Sequence, residues 1–112
     1  MDTIERYRQL VQEILWGYTR VPYANSKARF ETVFDTASDH YLVMILGHEP
    51  DKRYVHGCLI HVDILGDKIW VQRDGTEYGI ARELLDAGVP REHIVLGYKS
   101  PEMRKYTEFA AA

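Results

Sequence analysis

The chain has 112 residues, 46% of them hydrophobic, and carries 17 acidic against 14 basic side chains for a net charge of −3. That length fits one domain, which buries roughly 60–70% of its unfolded surface and can build a core without metal or disulfide; the lone Cys58 has no partner and fits a reducing compartment. Extensive DNA-backbone binding needs cations clustered for ~6–10 phosphate contacts, and the basic pairs Lys52-Arg53 and Arg104-Lys105 each stand among acids (Glu49 and Asp51; Glu102 and Glu108), leaving at most a small patch or binding through a basic partner.

Asp2 and Glu5 have the spacing of a capping box. Ile4, Tyr7, Val11, Ile14 and Leu15 then recur at helical spacing, so the first segment is expected to be an amphipathic helix ending at Gly17. Pro22, Asn25 and Ser26 mark a loop. Arg29 to Asp35 alternates as a strand, with Phe30, Thr32 and Phe34 on one side. His40 to Leu46 is apolar on both faces, as expected of a central strand covered on both sides. Gly47 to Lys52 is a turn. Tyr54 to Leu65 and Lys68 to Arg73 form a hairpin around Gly66-Asp67, a dipeptide suited to a two-residue turn.

Asp74-Gly75 turns the chain again, and Thr76 is the expected cap of a helix striped by Ile80, Leu84 and Leu85, with acidic Glu77 near its positive end. Gly88 followed by Val89-Pro90 closes that helix. Ile94-Val95-Leu96 reads as a short strand or buried connector, and a last helical turn is expected from Pro101 around Met103, Tyr106 and Phe109. Residues 1–112 thus read as a single α+β domain, a mainly antiparallel sheet with an N-terminal helix and a second helix after the central hairpin. The start of the chain lacks the charged-then-apolar pattern of a secretory signal, and no apolar run approaches the ~20 residues of a membrane span. The expectation is a cytoplasmic protein without membrane association.

The turn at Gly66-Asp67 sets the expected pairs Leu65–Lys68, Ile64–Ile69, Asp63–Trp70, Val62–Val71 and His61–Gln72. Ile60, Val62, Ile64, Ile69 and Val71 then share an apolar face, and His61, Asp63, Trp70 and Gln72 share the other. The second face is too polar for a core and too aromatic for an ordinary surface, which makes it the candidate working surface. Trp70 there is either covered by the last helix or tail as core, or an interface anchor.

A metal site is not expected. His56 and His61, five apart on one strand, should point to opposite faces. His61 and Asp63 share a face, but their neighbours across the hairpin, Gln72 and Trp70, supply no strong third zinc ligand. Asp74 could sit diagonal to His61, yet it lies about 13 Å along the strand from the partner of Asp63. Cys58 should fall on the apolar face with Ile60 and Val62 as a buried small hydrophobe rather than a reactive thiol.

Two apparent motifs fail on inspection. GIARELLDAGVPREHI has a loose helix-turn-helix look, but its interval from Ala81 to Gly88 is too long for the tight turn and its second half has little positive charge. No lysine has an acid two positions before it, as restriction-type nuclease chemistry would want, and no Ser/His/Asp, Walker-type or dinucleotide motif is present. No catalytic residues are assigned.

Three blocks carry a family resemblance: YLVMILG (41–47), HGCLIHVDILGDKIWVQRDGTEYGIARELLDAGVP (56–90) and IVLGYKSPEMRKYTEFA (94–110). Together they resemble the XisI-like proteins, excision-controlling factors of the fdxN element known mainly from cyanobacteria. The sequence departs from that family's pattern at His48, where tryptophan often follows the glycine, and at Lys99, often histidine, so neither position is assigned a shared role. The resemblance transfers no catalytic residue, cofactor or metal. It makes His61, Asp63, Trp70, Gln72, Asp74 and Glu77 candidates for a shared structural or binding surface. It also implies a regulatory role beside a separate recombinase. The expected protein is a small adaptor that binds a XisH-like, nuclease-fold partner, alone or as a homodimer, with any DNA contact indirect or made within a complex. Two other readings stay open: an antitoxin-like inhibitor or subunit of a nuclease-fold partner without a recombination role, and a small-ligand binder using the His61/Asp63/Trp70/Gln72 face.

Overall fold

Apolar residues at helical spacing in the first segment produce α1 (Thr3–Tyr18), which buries Tyr7, Val11 and Leu15 in one stripe. The computed structural model describes residues 3–20 and 28–112. Asp2 with its capping box, and the loop around Pro22, Asn25 and Ser26, lie outside the described residues. Five strands follow: β1 (Arg29–Asp35), β2 (His40–His48), β3 (Tyr54–Leu65), β4 (Lys68–Asp74) and β5 (Ile94–Leu96). Between the last two lie α2 (Ile80–Asp86) and a 3₁₀ turn at Arg91–His93, and α3 (Pro101–Arg104) comes last.

The sheet has the order β1-β2-β3-β4-β5, antiparallel through β4. The β4–α2–β5 connection brings β5 in parallel to β4, as a helical crossover allows and a tight turn does not. Past α3, Ala110 bridges to Val95 and donates its backbone N–H to Ile94 O at 2.9 Å. The expected α+β architecture with a mainly antiparallel sheet is the one found.

α1 lies across β1, β2 and β3, and its stripe meets Tyr41, Val43, Ile60, Val62, Ile64, Ile69 and Val71 in one core. Each fully buried aliphatic side chain there contributes about 1.5–3 kcal/mol of transfer free energy. Polar ties set the helix's angle: Arg8 donates two bonds to Asp39, at 2.8 and 3.1 Å, and the Tyr18 hydroxyl donates to Glu83 of α2 at 2.6 Å.

Gly66, at φ 64°, takes the first central position of the β3–β4 turn, and the pairs from Leu65–Lys68 to Val62–Val71 form as the turn predicts. Beyond Val71 the register slips. His61 faces Arg73 rather than Gln72, and Asp74 faces Ile60. Gln72 is the extra residue of a β-bulge, which bends the strand and inverts the side-chain alternation after it. A second bulge in β3 pairs Val43 with Ile60 but Met44 with Cys58, leaving Leu59 as the extra residue.

That second bulge corrects two expectations. Cys58 lies on the face opposite Ile60, half-buried, with its thiol on Ile60 O at 3.2 Å and pushed up in pKa by burial. His56 and His61 share a face after all; they line up with Leu46 and Leu42, and only distance along the strand keeps them apart. The covering of β2 on both sides is also not found among the described residues. Leu42, Met44 and Leu46 on the face away from α1 stay partly exposed, and neighbouring Val33 is 52% exposed. The C-terminal segment places Arg104 over Trp70 of β4 and runs along the outer edge of β5 through Ala110.

The helix after the hairpin starts at Ile80, later than a Thr76 cap would give, and no side chain of its N-cap residue Gly79 caps it. Asp74 does that work from a distance. Its carboxylate accepts from Ile80 N at 2.7 Å and from the N–H and hydroxyl of Thr76 at 2.9 and 2.6 Å. Thr76 in turn accepts from Gly79 N. The last helical turn starts at Pro101, where the Ser100 hydroxyl caps Met103 N.

Candidate functional site on the open sheet face

The sheet face away from α1 is organised around Asp63, which is 7% exposed. Antiparallel pairing sets Asp63 between His40 of β2 and Trp70 of β4. His40 Nδ1 lies 2.7 Å and His61 Nε2 2.8 Å from the same Asp63 oxygen, Oδ1. Gln72 donates its amide to the other oxygen, Oδ2, at 3.2 Å. The Gln72 bulge makes the last contact: a residue pushed out of the ladder aims its side chain along the sheet.

Burial alone would push the Asp63 carboxyl up, but the bonds from His40, His61 and Gln72 together outweigh it and hold the group below the ordinary carboxylate range. The Asp63 carboxylate, hydrogen-bonded to His40, raises that imidazole above its usual value. Asp39, at φ 58°, precedes His40 and is fixed on three sides. Arg8 holds its carboxylate and keeps it well ionised, Tyr41 OH donates to it at 2.7 Å, and its carbonyl accepts from Ile64 N at 3.1 Å. The backbone that presents His40 is therefore anchored to α1, β2 and β3 together.

Trp70 is partly covered by the C-terminal segment, as one of its two expected readings had it. The Arg104 guanidinium lies over its ring at 4.9 Å, held by carbonyls of Lys99 and Gly97 at 3.0 and 3.3 Å, while part of the indole remains exposed. A side chain at Gly97 would collide with Gln72 Oε1 and come within 3.2 Å of Trp70 Cε3, so glycine lets the chain close over both.

Of the residues singled out from sequence, His61, Asp63, Trp70 and Gln72 are brought together. Asp74 and Glu77 are not. The Gln72 bulge turns Asp74 to the helix side of the sheet opposite Ile60, where it orders the start of α2, and Glu77 is exposed in the same connection. His40 was missed. The hairpin between β2 and β3, extended from the turn without a bulge, sets His40 against Val62; the extra Leu59 moves it to Asp63.

The face continues past this cluster along β2. Leu42, Met44 and Leu46, with Val33 and Cys58 beside them, form an apolar middle, and at the far end Tyr54 lies between His48, tilted against it at a ring separation of 5.0 Å, and His56, near-parallel at 6.2 Å. Four of the chain's five histidines thus stand on one sheet face. No helix of the described residues is long and apolar enough to cross a membrane.

The XisI protein family profile matches residues 1–111. Two crystal structures from Anabaena variabilis are similar over the whole length. A XisI-like protein is 34% identical, with a TM-score of 0.88 over 99% of this chain and 100% of that one. The fdxN element excision controlling factor XisI is 32% identical, with a TM-score of 0.83 over the same shares of the two chains. No protein of curated function matches significantly. Sequence and fold agree over essentially the full chain, which therefore belongs to the XisI family.

Proposed function

We propose that this protein is a non-catalytic accessory factor in the control of site-specific DNA excision, and that it acts by binding a XisH-like protein through its open sheet face. The observation that carries the reading is membership of a family with a 32% identical relative named as an excision controlling factor. The net charge of −3 supports control through a protein contact rather than through the DNA backbone alone. The partly exposed stripe of Val33, Leu42, Met44 and Leu46, bordered by Trp70 and the histidines, supports the choice of surface: an apolar centre with an aromatic and polar rim is the usual anatomy of a binding patch.

Co-expression with the XisH-like protein of the same host, followed by pull-down with and without the DNA of the excision site, tests this. A stoichiometric complex supports the adaptor role, and its size gives the oligomeric state of this chain within it. Two folded proteins that do not associate, with or without DNA, refute it.

A further inference from the structure

We propose that His40, His61 and Asp63 form a binding site for a divalent first-row transition metal ion of the zinc class. The three side chains offer one ligand atom each, all within 4.8 Å of one another, and they come from two adjacent strands brought into phase by the Leu59 bulge. Tetrahedral zinc with nitrogen and oxygen ligands at 2.0–2.2 Å holds those atoms about 3.3 Å apart. Both imidazole nitrogens already converge on one carboxylate oxygen at 2.7 and 2.8 Å, and the ligand atoms span no more than 4.8 Å, so an ion entering between them is accommodated by side-chain shifts of about 0.5–1.5 Å.

The surroundings match what such a site requires. Asp63 is buried and its second oxygen is held by the Gln72 amide, the outer support that fixes a ligating carboxylate. His40 is presented by the anchored Asp39. The more exposed His40 and His61 leave the solvent side of the cluster open, so the three protein ligands leave a fourth position for water or for a group on a binding partner. Two imidazoles and one carboxylate suit zinc, cobalt, nickel or copper; calcium and magnesium prefer an all-oxygen shell. Coordination moves each imidazole proton to the ring nitrogen facing away from the ion, so neutral histidines suffice. The bland alternative is a hydrogen-bonded triad that only orders the sheet.

Titration of the untagged full-length chain with Co(II) and Zn(II) separates the two. The site predicts one ion per chain with Kd tighter than about 10 μM, the visible bands of four-coordinate Co(II), and displacement of Co(II) by Zn(II). His40→Ala and His61→Ala, at more exposed positions where the fold should persist by circular dichroism, should each weaken binding more than 100-fold. Gln72→Ala, which removes only the outer support, should weaken it about 10–100-fold. The double variant His48→Ala/His56→Ala, at the far end of the same face, should bind as the parent does. Affinity weaker than about 10 μM, retention in folded His40→Ala and His61→Ala, or loss in the His48/His56 variant overturns the proposal.

Discussion

Replacing Asp63 by asparagine changes one buried atom and a charge, and the structure makes the consequence calculable. The carboxylate accepts three side-chain bonds, from His40 and His61 on Oδ1 and from Gln72 on Oδ2. Asparagine has one oxygen and one amino group. If its oxygen keeps the two histidines, its amino group faces the Gln72 amino group, donor against donor. If it flips, the amino group faces both histidines. One orientation loses a single bond, the other forces both imidazoles to present an unprotonated nitrogen to the amino group, and each weakens the bonds kept, because bonds to an ionised acceptor contribute about 1.5–3 kcal/mol and neutral ones about 0.5–1.5. His40 is half exposed and can rehydrate, which limits the loss. We expect a net destabilisation of about 2 kcal/mol. Urea unfolding followed by tryptophan fluorescence reads it directly: with a slope near 2 kcal/mol/M, typical of small domains, the midpoint should fall by about 1 M. A midpoint within about 0.2 M of the parent would refute the assignment of Asp63 as the polar hub of this face.

Three further outcomes follow from the fold. Leu15→Ala removes a fully buried anchor of α1 from the core and should cost about 2–5 kcal/mol in the same urea assay; a cost below about 1 kcal/mol would mean α1 is not docked as described. Gly97→Ala places a methyl against Gln72 and Trp70 and should lower stability by about 1–3 kcal/mol, seen as a fall of several degrees in Tm, with an unchanged Tm contradicting the close approach. Burial, reinforced by the hydrogen bond to Glu83, pushes the Tyr18 phenol up to about 12 from an ordinary value of 10.0. A raised folded value means that this contribution to stability is complete below about pH 10 and disappears as pH rises through about 12. The difference in unfolding midpoint between the parent and Tyr18→Phe should therefore be constant up to about pH 10 and shrink towards pH 12, whereas a gap independent of pH would argue against the buried bond.

The parts of the fold legible in the sequence are those controlled by local chemistry. Gly66 at the first position of a two-residue turn fixes the register of its own hairpin, so the pairs Asp63–Trp70 and Ile64–Ile69 follow from the turn alone. The stripe of α1 follows from its period. What was not legible depends on two single-residue insertions in strands whose sequences alternate normally through them. Nothing in QRD or CLI marks Gln72 or Leu59 as extra, yet each inverts every assignment beyond it. The first removes Asp74 from the candidate face. The second moves Cys58, His56 and His40 onto it and creates the two-histidine cluster that unbulged pairing forbids. Tertiary hydrogen bonds select these bulges: Arg73 donates to Cys58 O at 2.6 Å and Gly75 to Leu59 O at 2.8 Å, with Gly75 so close to Leu59 that a Cβ would lie 2.8 Å from its side chain. Arg73 and Gly75 are distant in sequence from Leu59, so nothing local to its own strand announces that bulge. The family, by contrast, could be read from three blocks of sequence because it rests on many irregular positions at once.

The central claim is that the open sheet face is the surface that meets the partner. Isothermal titration of the XisH-like protein against the parent chain, against Trp70→Ala, and against Gln9→Ala on the exposed side of α1 tests it most directly. An aromatic anchor at a binding patch typically carries about 2 kcal/mol or more. Trp70→Ala should therefore weaken binding by about 30-fold or more, while Gln9→Ala leaves it unchanged. Equal affinities for the parent and a folded Trp70→Ala, or a loss confined to Gln9→Ala, would contradict the account and move the interface to another face.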